Sequence, residues 1–468
     1  MRRGLLMALV ALAVAPPAHA AVPRPDDDPF YVAPPGVAQA APGDVLRTRE
    51  IDVTAAGIPL PLEGHQILFR TRDAHGAPEA AVATVIVPSG DAPAGGRPLL
   101  AYQPAEDTLT RDCASSYEIR QGQMPELPEA LEPLLTDGAA VVIPDYEGPE
   151  SQWVAGVQAG RAVLDAVRAA ESFAPAGLDG TKTPVAVWGY SGGAQATAWA
   201  AELQPRYAPE LNLVASAHGA APYVLRTTIA YVDGSPYAGI LLAAVVGIGR
   251  AYPEMRLDEL FNDKGKAMQA TVGDQCIEQF AGEYPGAHLD DFMRVPNAKD
   301  LPYVGRVIDA NDLGHRTPKA PTYIYQAATD ELEPVAGADA IVANYCGRGV
   351  KVRYTRAAAG EHIAYQAAGA PAAAAYIADR FAGKPAPSTC PPQAPMNRCT
   401  VVLRLRPRHG ERILRVVARE HGRRIASRRG RRLRRLRVRL AAGSHVIRLR
   451  LRTTRGRRTV VIRRVVRC

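Results

Sequence analysis

The sequence predicts an α/β fold, a mostly parallel sheet covered by helices, followed by a small all-β, sandwich-like domain rich in arginine. Continuous apolar runs rich in β-branched residues, such as 82–87, 140–144 and 184–188, alternate with alanine-rich stretches such as 156–173. Strands buried on both faces have such continuous apolar runs, so the pattern favours a parallel sheet with helices on both sides. Beyond residue 399 apolar residues alternate with arginines, which is the period of a half-buried strand.

The first twenty residues have the composition of a targeting segment. Arg2 and Arg3 precede an apolar run over residues 5–14, and residues 18–20 form a small-x-small cleavage site. This pattern predicts a secretory signal peptide over residues 1–20 and a secreted, extracellular protein. The alternative, a membrane anchor, is disfavoured because the apolar run is too short to span a bilayer.

Charge divides the rest of the chain into two unlike parts. Residues 391–468 hold 26 arginines, no lysine and two acids, for a net charge of +24, whereas the preceding residues carry 30 basic and 45 acidic side chains, or −15. A proline-rich stretch lies at the junction and is typical of a linker. We therefore predict a main domain over 21–390, a linker over 391–398 and a basic β domain over 399–468.

Six cysteines form an even set in a chain expected to be exported. Disulfide bonds are the default expectation, and the count alone allows fifteen connectivities. No two cysteines have two-residue spacing and none is adjacent to a histidine, so neither a metal site nor a cofactor is expected. The six are Cys113, Cys276, Cys346, Cys390, Cys399 and Cys468.

A G-x-S-x-G motif spans residues 189–193, between the predicted strand 184–188 and a helical run. In this context the motif predicts an α/β-hydrolase fold with Ser191 as nucleophile on a strained strand-to-helix turn. Side chains at Gly189 or Gly193 would clash with neighbouring backbone, and the N–H of Gly192 is placed to bind an oxyanion. The alternative is a glycine turn whose serine caps the helix.

In this fold an acid and then a histidine follow the serine along the chain. Asp330 follows the predicted strand 321–326, and His362 follows the strand-like run 350–354. We predict that His362 is the general base and that Asp330 orients it. Glu331 and Glu333 are weaker candidates for the acid, and His218 is a weaker base because it precedes every suitable acid.

Several further motifs resemble the secretory lipase family of the α/β-hydrolase superfamily, and the likeness runs from about residue 25 to Cys390. The motifs that carry it are Asp27-Asp28-Pro29-Phe30-Tyr31, Tyr102-Gln103, Glu106-Asp107, Cys113, Ser115-Ser116-Tyr117, Tyr146-Glu147-Gly148, Gly189-Tyr190-Ser191-Gly192-Gly193-Ala194, Tyr207-Ala208-Pro209-Glu210-Leu211-Asn212, His218-Gly219, Asp330-Glu331, Pro334 and Glu361-His362.

The resemblance implies more than the motif spacing. It assigns the catalytic roles to Ser191, Asp330 and His362, and the second oxyanion contact, beside Gly192, to Asp107. It also implies disulfides Cys113–Cys276 and Cys346–Cys390, which leaves Cys399–Cys468 for the basic domain.

The family places an α-helical cap in the insertion at about residues 219–318. An apolar face with Ile240, Leu241, Leu242, Val245, Val246 and Ile248 would suit an acyl chain, or would be buried against the main domain. The basic domain replaces the short C-terminal segment of yeast members of the family.

The resemblance therefore implies a triacylglycerol lipase acting through a Ser-His-Asp triad and an acyl-enzyme. A short-chain or aryl carboxylesterase, or an anionic-surface-binding protein with a secondary hydrolase domain, are the alternatives. The expected partners are an ester or lipid substrate and, through the arginine-rich domain, an anionic membrane or cell-wall surface. Nucleic acid is not expected, because the basic domain lacks interleaved aromatic residues.

Overall fold

The computed structural model describes residues 22–55, 57–123, 128–392, 399–420, 423–440 and 443–466. The predicted signal peptide lies outside these ranges, as do residues 393–398 of the predicted linker and Cys468. The chain forms two compact units, the first ending at Cys390 and the second beginning at Pro391.

The first unit is built on a nine-stranded mixed sheet with the order β1-β4-β5-β7-β6-β8-β9-β10-β11, and β2 and β3 form a separate hairpin. Strands β1, β4, β5 and β7 pair antiparallel, and the strands from β7 to β11 are parallel. The apolar runs 140–144 and 184–188, which predicted a parallel sheet, form β7 and β8 of its parallel part. The third such run, 82–87, lies in β5, which pairs antiparallel with both of its neighbours, so a continuous apolar run marks burial on both faces rather than strand direction. The strands are β1 (Val45–Ile51), β2 (Thr54–Ala55), β3 (Ile58–Pro59), β4 (Leu62–Arg72), β5 (Pro78–Pro88), β6 (Leu99–Gln103), β7 (Ala140–Pro144), β8 (Val185–Tyr190), β9 (Leu213–Gly219), β10 (Thr322–Ala327) and β11 (Val352–Ala357).

Helices cover both faces of this sheet. Trp199 of α4 and Tyr345 of α11 pack in one core with alanines of α3, and Leu131 of α2 and Ile377 of α12 pack in the core on the other face. This three-layer arrangement confirms the predicted α/β class. The helices outside the insertion are α1 (Ser115–Arg120), α2 (Pro128–Thr136), α3 (Gly156–Ser172), α4 (Ser191–Tyr207), α11 (Val335–Gly347) and α12 (His362–Phe381).

Six helices lie between β9 and β10 and form a cap with its own apolar core. Leu242 and Val246 of its longest helix are buried in that core. Within the described ranges no single helix is long and apolar enough to cross a membrane, although the bent pair Ala238–Ala251 and Pro253–Leu260 meets length and composition limits together. The cap helices are α5 (Leu225–Val232), α6 (Ala238–Ala251), α7 (Leu257–Leu260), α8 (Asp263–Val272), α9 (Ile277–Phe280) and α10 (Pro302–Ala310).

Two disulfide bonds join segments that are distant in sequence. Cys113–Cys276 links the segment before α1 to the cap, and Cys346–Cys390 links α11 to the end of the first unit. Both are pairs that the family resemblance implies. The expected third pair, Cys399–Cys468, lies outside the described residues because Cys468 does.

The second unit is all-β, as the alternation of apolar residues and arginine predicts. A four-stranded antiparallel sheet, in the order β14-β13-β16-β17, and a two-stranded sheet of β12 and β15 contribute to one core. Leu436, Val438 and Leu440 are buried in it, and the alternating residues of β15 are exposed. The strands are β12 (Cys399–Arg404), β13 (Ile413–Glu420), β14 (Arg423–Arg429), β15 (Arg435–Leu440), β16 (Gly443–Thr453) and β17 (Gly456–Val466).

Candidate active site

Ser191 stands on the sharp turn between β8 and α4. Tyr190 is the last residue of the strand, and Ser191 is the first residue of the helix, with φ of 54°. A positive φ is uncommon for a residue other than glycine and marks local backbone strain that the surrounding structure must hold. The turn places the hydroxyl group at the carboxyl end of the parallel strands.

The three glycines around Ser191 are required by close packing. A Cβ at Gly189 would overlap the carbonyl group of Gly193, and one at Gly193 would overlap the carbonyl oxygen of Gln103. These are backbone clashes of the kind expected from the motif. A Cβ at Gly192 would overlap the Asp107 carboxyl group, a constraint that the motif does not reveal.

Ser191, His362 and Asp330 are joined by hydrogen bonds although they are far apart in sequence. His362 Nε2 lies 2.9 Å from Ser191 Oγ, and His362 Nδ1 lies 2.9 Å from each carboxylate oxygen of Asp330. Asp330 follows β10 and His362 begins α12 after β11, so parallel strand ends bring both to the serine. The histidine and the aspartate are buried, which excludes water from their contact.

The Asp330 carboxylate accepts three hydrogen bonds in addition to its contact with His362. Oδ1 accepts hydrogen bonds from the main-chain N–H groups of Leu332 and Glu333, at 3.0 and 2.8 Å, and Oδ2 accepts one from Gln326 Nε2 at 3.1 Å. Glu331, a weaker candidate for the acid, accepts the main-chain N–H of His362 at 3.0 Å rather than its ring N–H.

His218, the weaker candidate for the base, has other partners than Ser191, and so have His288 and His315, the other histidines between Ser191 and the end of the first unit. His218 is buried at the end of β9, where its Nδ1 lies 2.8 Å from the Tyr223 hydroxyl group, and burial lowers its pKa to about 3. His288 lies 3.6 Å from Asp233, and His315 Nε2 lies 3.1 Å from the Asp309 carbonyl oxygen.

Asp107 lies over Gly192, where the family resemblance assigns an oxyanion contact. Its Oδ1 accepts a hydrogen bond from Trp153 Nε1 at 2.7 Å, and its φ is 41°. The main-chain N–H groups of Asp107 and Thr108 are directed at the Glu147 carboxyl group. With its main-chain N–H directed at Glu147, Asp107 has only its side chain left to contact an oxyanion, and a carboxyl group donates a hydrogen bond only when it carries a proton.

Buried acids that the sequence analysis gave no role support the Asp107 loop. Glu106 accepts the main-chain N–H of Ser115 at 3.3 Å, and Asp145 accepts the hydroxyl group of Ser116 at 2.6 Å. Burial raises the pKa of Glu106 and of Glu147 well above the ordinary range, and that of Asp145 to about 6. Their motifs carried the resemblance, but only the packing reveals that they lie together.

The same loop is held against the cap. Arg250 of α6 donates to the carbonyl oxygens of Leu109 and Glu150, at 2.8 and 3.1 Å, and Thr108 pairs with Cys276 in an isolated β-bridge. The cap and the Asp107 loop therefore form one connected structure.

A cavity of about 130 Å³ begins at Ser191, Gly192 and Asp107 and extends under the cap. Of the six α6 residues proposed to face an acyl chain, Ile240, Leu241, Val245 and Ile248 line this cavity. Leu241 and Ile248 are also buried members of the cap core, together with Leu242 and Val246. Further apolar lining comes from Leu225, Ile229, Val232, Met255, Leu257, Leu260, Ile277, Leu289, Met293, Val304 and Ile308.

Known proteins share this architecture. The family model described as secretory lipase matches residues 124–389. A Mycobacterium tuberculosis protein named as a probable inactive lipase is 36% identical over 77% of this chain and 83% of its own length. Lipase 4 of Candida albicans is 34% identical over 78% of this chain and 84% of its own. The crystal structure of Candida antarctica lipase A superposes with a TM-score of 0.75 and 29% identity, covering 79% of this chain and 89% of that one.

Proposed function

Because the chain belongs to the secretory lipase family, we propose that it is a secreted serine ester hydrolase that cleaves triacylglycerols. The observation that carries the proposal is the hydrogen-bonded series Ser191–His362–Asp330 at the mouth of an apolar cavity. A nucleophile, a base and a group that orients the base are the parts that acyl transfer needs.

In the first step His362 Nε2 takes the proton of Ser191 Oγ while the oxygen attacks the ester carbonyl carbon. Asp330 accepts a hydrogen bond from the Nδ1–H group of His362, so it holds the imidazole in the required tautomer and stabilises the imidazolium that forms. The tetrahedral intermediate then collapses, and His362 gives its proton to the departing alcohol. Water attacks the resulting acyl-enzyme by the same route and releases the fatty acid.

Negative charge on the carbonyl oxygen is stabilised by the N–H of Gly192, in the first turn of α4, and Asp107 is the second contact, which can donate to the oxyanion only while its carboxyl group carries a proton. The helix N-terminus adds a favourable dipole at this position. Donors fixed in advance at an oxyanion contribute a large part of the rate enhancement in such sites.

The apolar lining favours an acyl chain over a polar or charged substrate. The cavity of about 130 Å³ is lined by aliphatic side chains, so the transfer of an acyl chain's methylene groups from water into it makes the binding free energy more favourable. A short-chain or aryl carboxylesterase is the alternative if the cavity excludes long chains.

The mycobacterial relative bears the name of a probable inactive lipase, so activity must be measured directly. Hydrolysis of p-nitrophenyl esters from acetate to palmitate by the mature protein should be lost in Ser191→Ala, by at least about 10⁴-fold in kcat. Ser216→Ala is the matched control, since Ser216 is also buried, lies outside the cavity lining, and its hydroxyl group has no hydrogen-bond partner among the described residues. Activity only on short esters would indicate an esterase, and no serine-dependent activity on any ester would refute the proposal.

We also propose that the second unit, which begins at Pro391 and is called the basic unit from here on, attaches the enzyme to anionic membrane lipids. Register places eight arginines on the outer face of the four-stranded sheet, opposite the face that carries the buried Val416 and Leu449. They are Arg415, Arg419, Arg424, Arg429, Arg448, Arg450, Arg452 and Arg457.

The arrangement is costly without an anionic partner. Arg452 lies directly opposite both Arg415 and Arg457, and Arg419 lies opposite both Arg448 and Arg424. Like charges directly opposite each other destabilise a sheet. Phosphate headgroups would neutralise this face, and guanidinium groups bind phosphate in a bidentate manner.

Sedimentation with vesicles tests this attachment. Binding should appear with vesicles containing about one third phosphatidylglycerol, be absent with neutral phosphatidylcholine vesicles, and weaken as salt is raised. Binding to cell-wall polyanions without binding to anionic vesicles would replace the membrane with a cell-wall surface. Equal binding to neutral and anionic vesicles would exclude an electrostatic attachment.

A further inference from the structure

The cavity contains a polar side chain that its apolar surroundings do not explain. Gln195 lies on α4 one turn after Ser191, lines the same cavity and is 3% exposed. Its Nε2 is buried and has no hydrogen-bond partner among the residues that the structure describes. A buried amide donor without a partner lowers stability, so its retention beside a reactive serine indicates a role in binding.

A second polar group lines the same cavity. Glu333 Oε2 accepts a hydrogen bond from the Thr228 hydroxyl group of α5 at 2.8 Å, and both residues line the cavity. Burial raises the pKa of Glu333 well above the ordinary range, and the negative charge of Asp330 adds to the rise. The Glu333 carboxyl oxygens can accept a hydrogen bond from a ligand in the cavity.

The position of the cavity assigns these groups to the acyl side of the substrate. Its lining includes Ser191, Gly192 and Asp107, and His362 is not among the described residues that line it. Since His362 gives its proton to the departing alcohol, the part of the substrate inside the cavity is the acyl chain. Gln195 lies four residues, or about 6 Å along the helix, from Ser191. Its amide can therefore reach only the first few carbons beyond the ester carbonyl.

Resting on the proposed function, we infer that Gln195 and the Glu333–Thr228 pair form a polar subsite for an oxygen substituent on the acyl chain. The substrate class that this subsite fits is an ester of a hydroxylated fatty acid, with the hydroxyl group near the carbonyl. The Gln195 Nε2 group donates to the substrate hydroxyl oxygen, and the Glu333 carboxyl group accepts a hydrogen bond from the same hydroxyl group. The aliphatic lining binds the rest of the chain.

Matched substrates test the inference. The p-nitrophenyl esters of octanoic acid and 3-hydroxyoctanoic acid differ by one oxygen, so their kcat/KM ratio isolates the subsite. We expect the wild-type enzyme to favour the hydroxylated ester by about tenfold or more, and Gln195→Leu and Glu333→Leu each to lower that ratio by about tenfold. Glu333→Gln keeps an acceptor and should retain most of the preference. The control Ile229→Leu changes the lining without changing its polarity, and should alter both esters in parallel.

Binding of the free acids provides a readout that does not depend on catalysis. Calorimetry should show tighter binding of 3-hydroxyoctanoate than of octanoate to the wild-type protein, and the difference should fall in Gln195→Leu. A wild-type ratio near one for both hydrolysis and binding, or a ratio that neither substitution changes, would overturn the subsite. If no ester is hydrolysed but the binding difference follows the substitutions, the hydrolase proposal fails and the subsite stands.

Discussion

The two units of the chain place their charged side chains in opposite ways. In the first unit, which ends at Cys390 and is called the hydrolase unit below, acids such as Asp330, Glu106 and Asp165 are buried, and each accepts hydrogen bonds from neighbouring groups. In the basic unit the core is aliphatic and arginines face outward, against other arginines on adjacent strands. A buried charged group requires hydrogen-bonding or charged partners within the fold. The same partners shift its pKa and fix its position, as a catalytic group requires. An outward array of like charges creates a strong positive potential, which attracts anionic partners from outside.

This contrast predicts that chemistry and attachment can be abolished separately. The largest effect is expected at the hydrolase site. Asp330→Asn preserves shape but favours the wrong tautomer of His362, and we expect kcat on a soluble ester to fall by about 10⁴-fold. Binding to anionic vesicles should be unchanged, as measured by sedimentation of the same preparation.

Asp339→Asn is the matched control for this change. Asp339 is a half-exposed acid on α11 that pairs with Arg356 at the surface. It should retain wild-type kcat. A similar loss in both variants would indicate a general effect of acid removal, and near-normal activity of Asp330→Asn would remove Asp330 from the mechanism.

The next largest effect is expected at Asp107. Asp107→Ala removes the oxyanion donor and should lower kcat by about 10²- to 10³-fold with little change in KM. Asp107→Asn supplies an N–H₂ donor in place of the carboxyl proton and should recover at least about tenfold of that loss. Steady-state kinetics on p-nitrophenyl butyrate measures both. Equal loss in the two variants would show that the side chain is not a donor.

In the basic unit, the triple substitution of Arg448, Arg450 and Arg452 by glutamine removes the arginines that the inner strand β16 contributes to the outer face of the four-stranded sheet, called the arginine face here. Each basic residue near an anionic surface contributes about 1 kcal/mol, so vesicle affinity should fall by about 100-fold. Hydrolysis of a soluble ester should keep its wild-type kcat/KM. Thermal stability should stay equal or rise, because opposed like charges are removed.

The matched control replaces Arg404, Arg406 and Arg408 by glutamine, which removes the same charge outside the four-stranded sheet. A smaller loss of affinity is expected there. Equal losses in the two triple variants would show that total charge, rather than the arginine face, determines attachment.

Patterns that are local in sequence predicted much of this molecule. The motif at residues 189–193 specified the nucleophile turn, because its glycine requirement arises from the strand and helix that flank it. The alternation of β15 specified one buried face, because a strand has a side-chain period of two residues. Asp330 and His362 were predictable because the fold fixes their order along the chain. Their catalytic roles remain predictions until the variants are assayed.

What the sequence did not reveal depends on contacts between distant segments. Gln195 and Glu333 look like ordinary polar residues of a helix and a turn, and only the cap makes them part of one cavity lining. Similarly, Gly192 is required because Asp107, 85 residues away in sequence, packs over it. No residue spacing encodes such contacts, since they arise only when the sheet and the cap close over the same position.

The smallest expected effect concerns the stability of the hydrolase unit and sharpens the contrast in charge placement. Glu79 of β5 is largely buried, its Oε2 has no hydrogen-bond partner among the described residues, and burial raises its pKa to about 8, with Asp73 and Glu150 adding to the rise. An unfolded glutamate has a pKa of about 4.3, so between about pH 4 and 8 the unfolded state releases a proton that the folded state retains. Stability should therefore fall as pH rises through that window, and then level off.

Glu79→Gln removes this dependence and should stabilise the protein by a few kcal/mol at pH 8 while changing little at pH 4. Thermal unfolding at a series of pH values measures the difference, with the exposed Glu50 of β1 as the control, Glu50→Gln. The arginines of the basic unit keep their charge throughout this range, so repulsion among them cannot produce a step that Glu79→Gln removes. A difference between variant and wild type that is the same at every pH would mean that Glu79 is ionised in the folded protein. In that case its stabilising partner would have to be sought on the segment around Gly148, which packs against its carboxyl group.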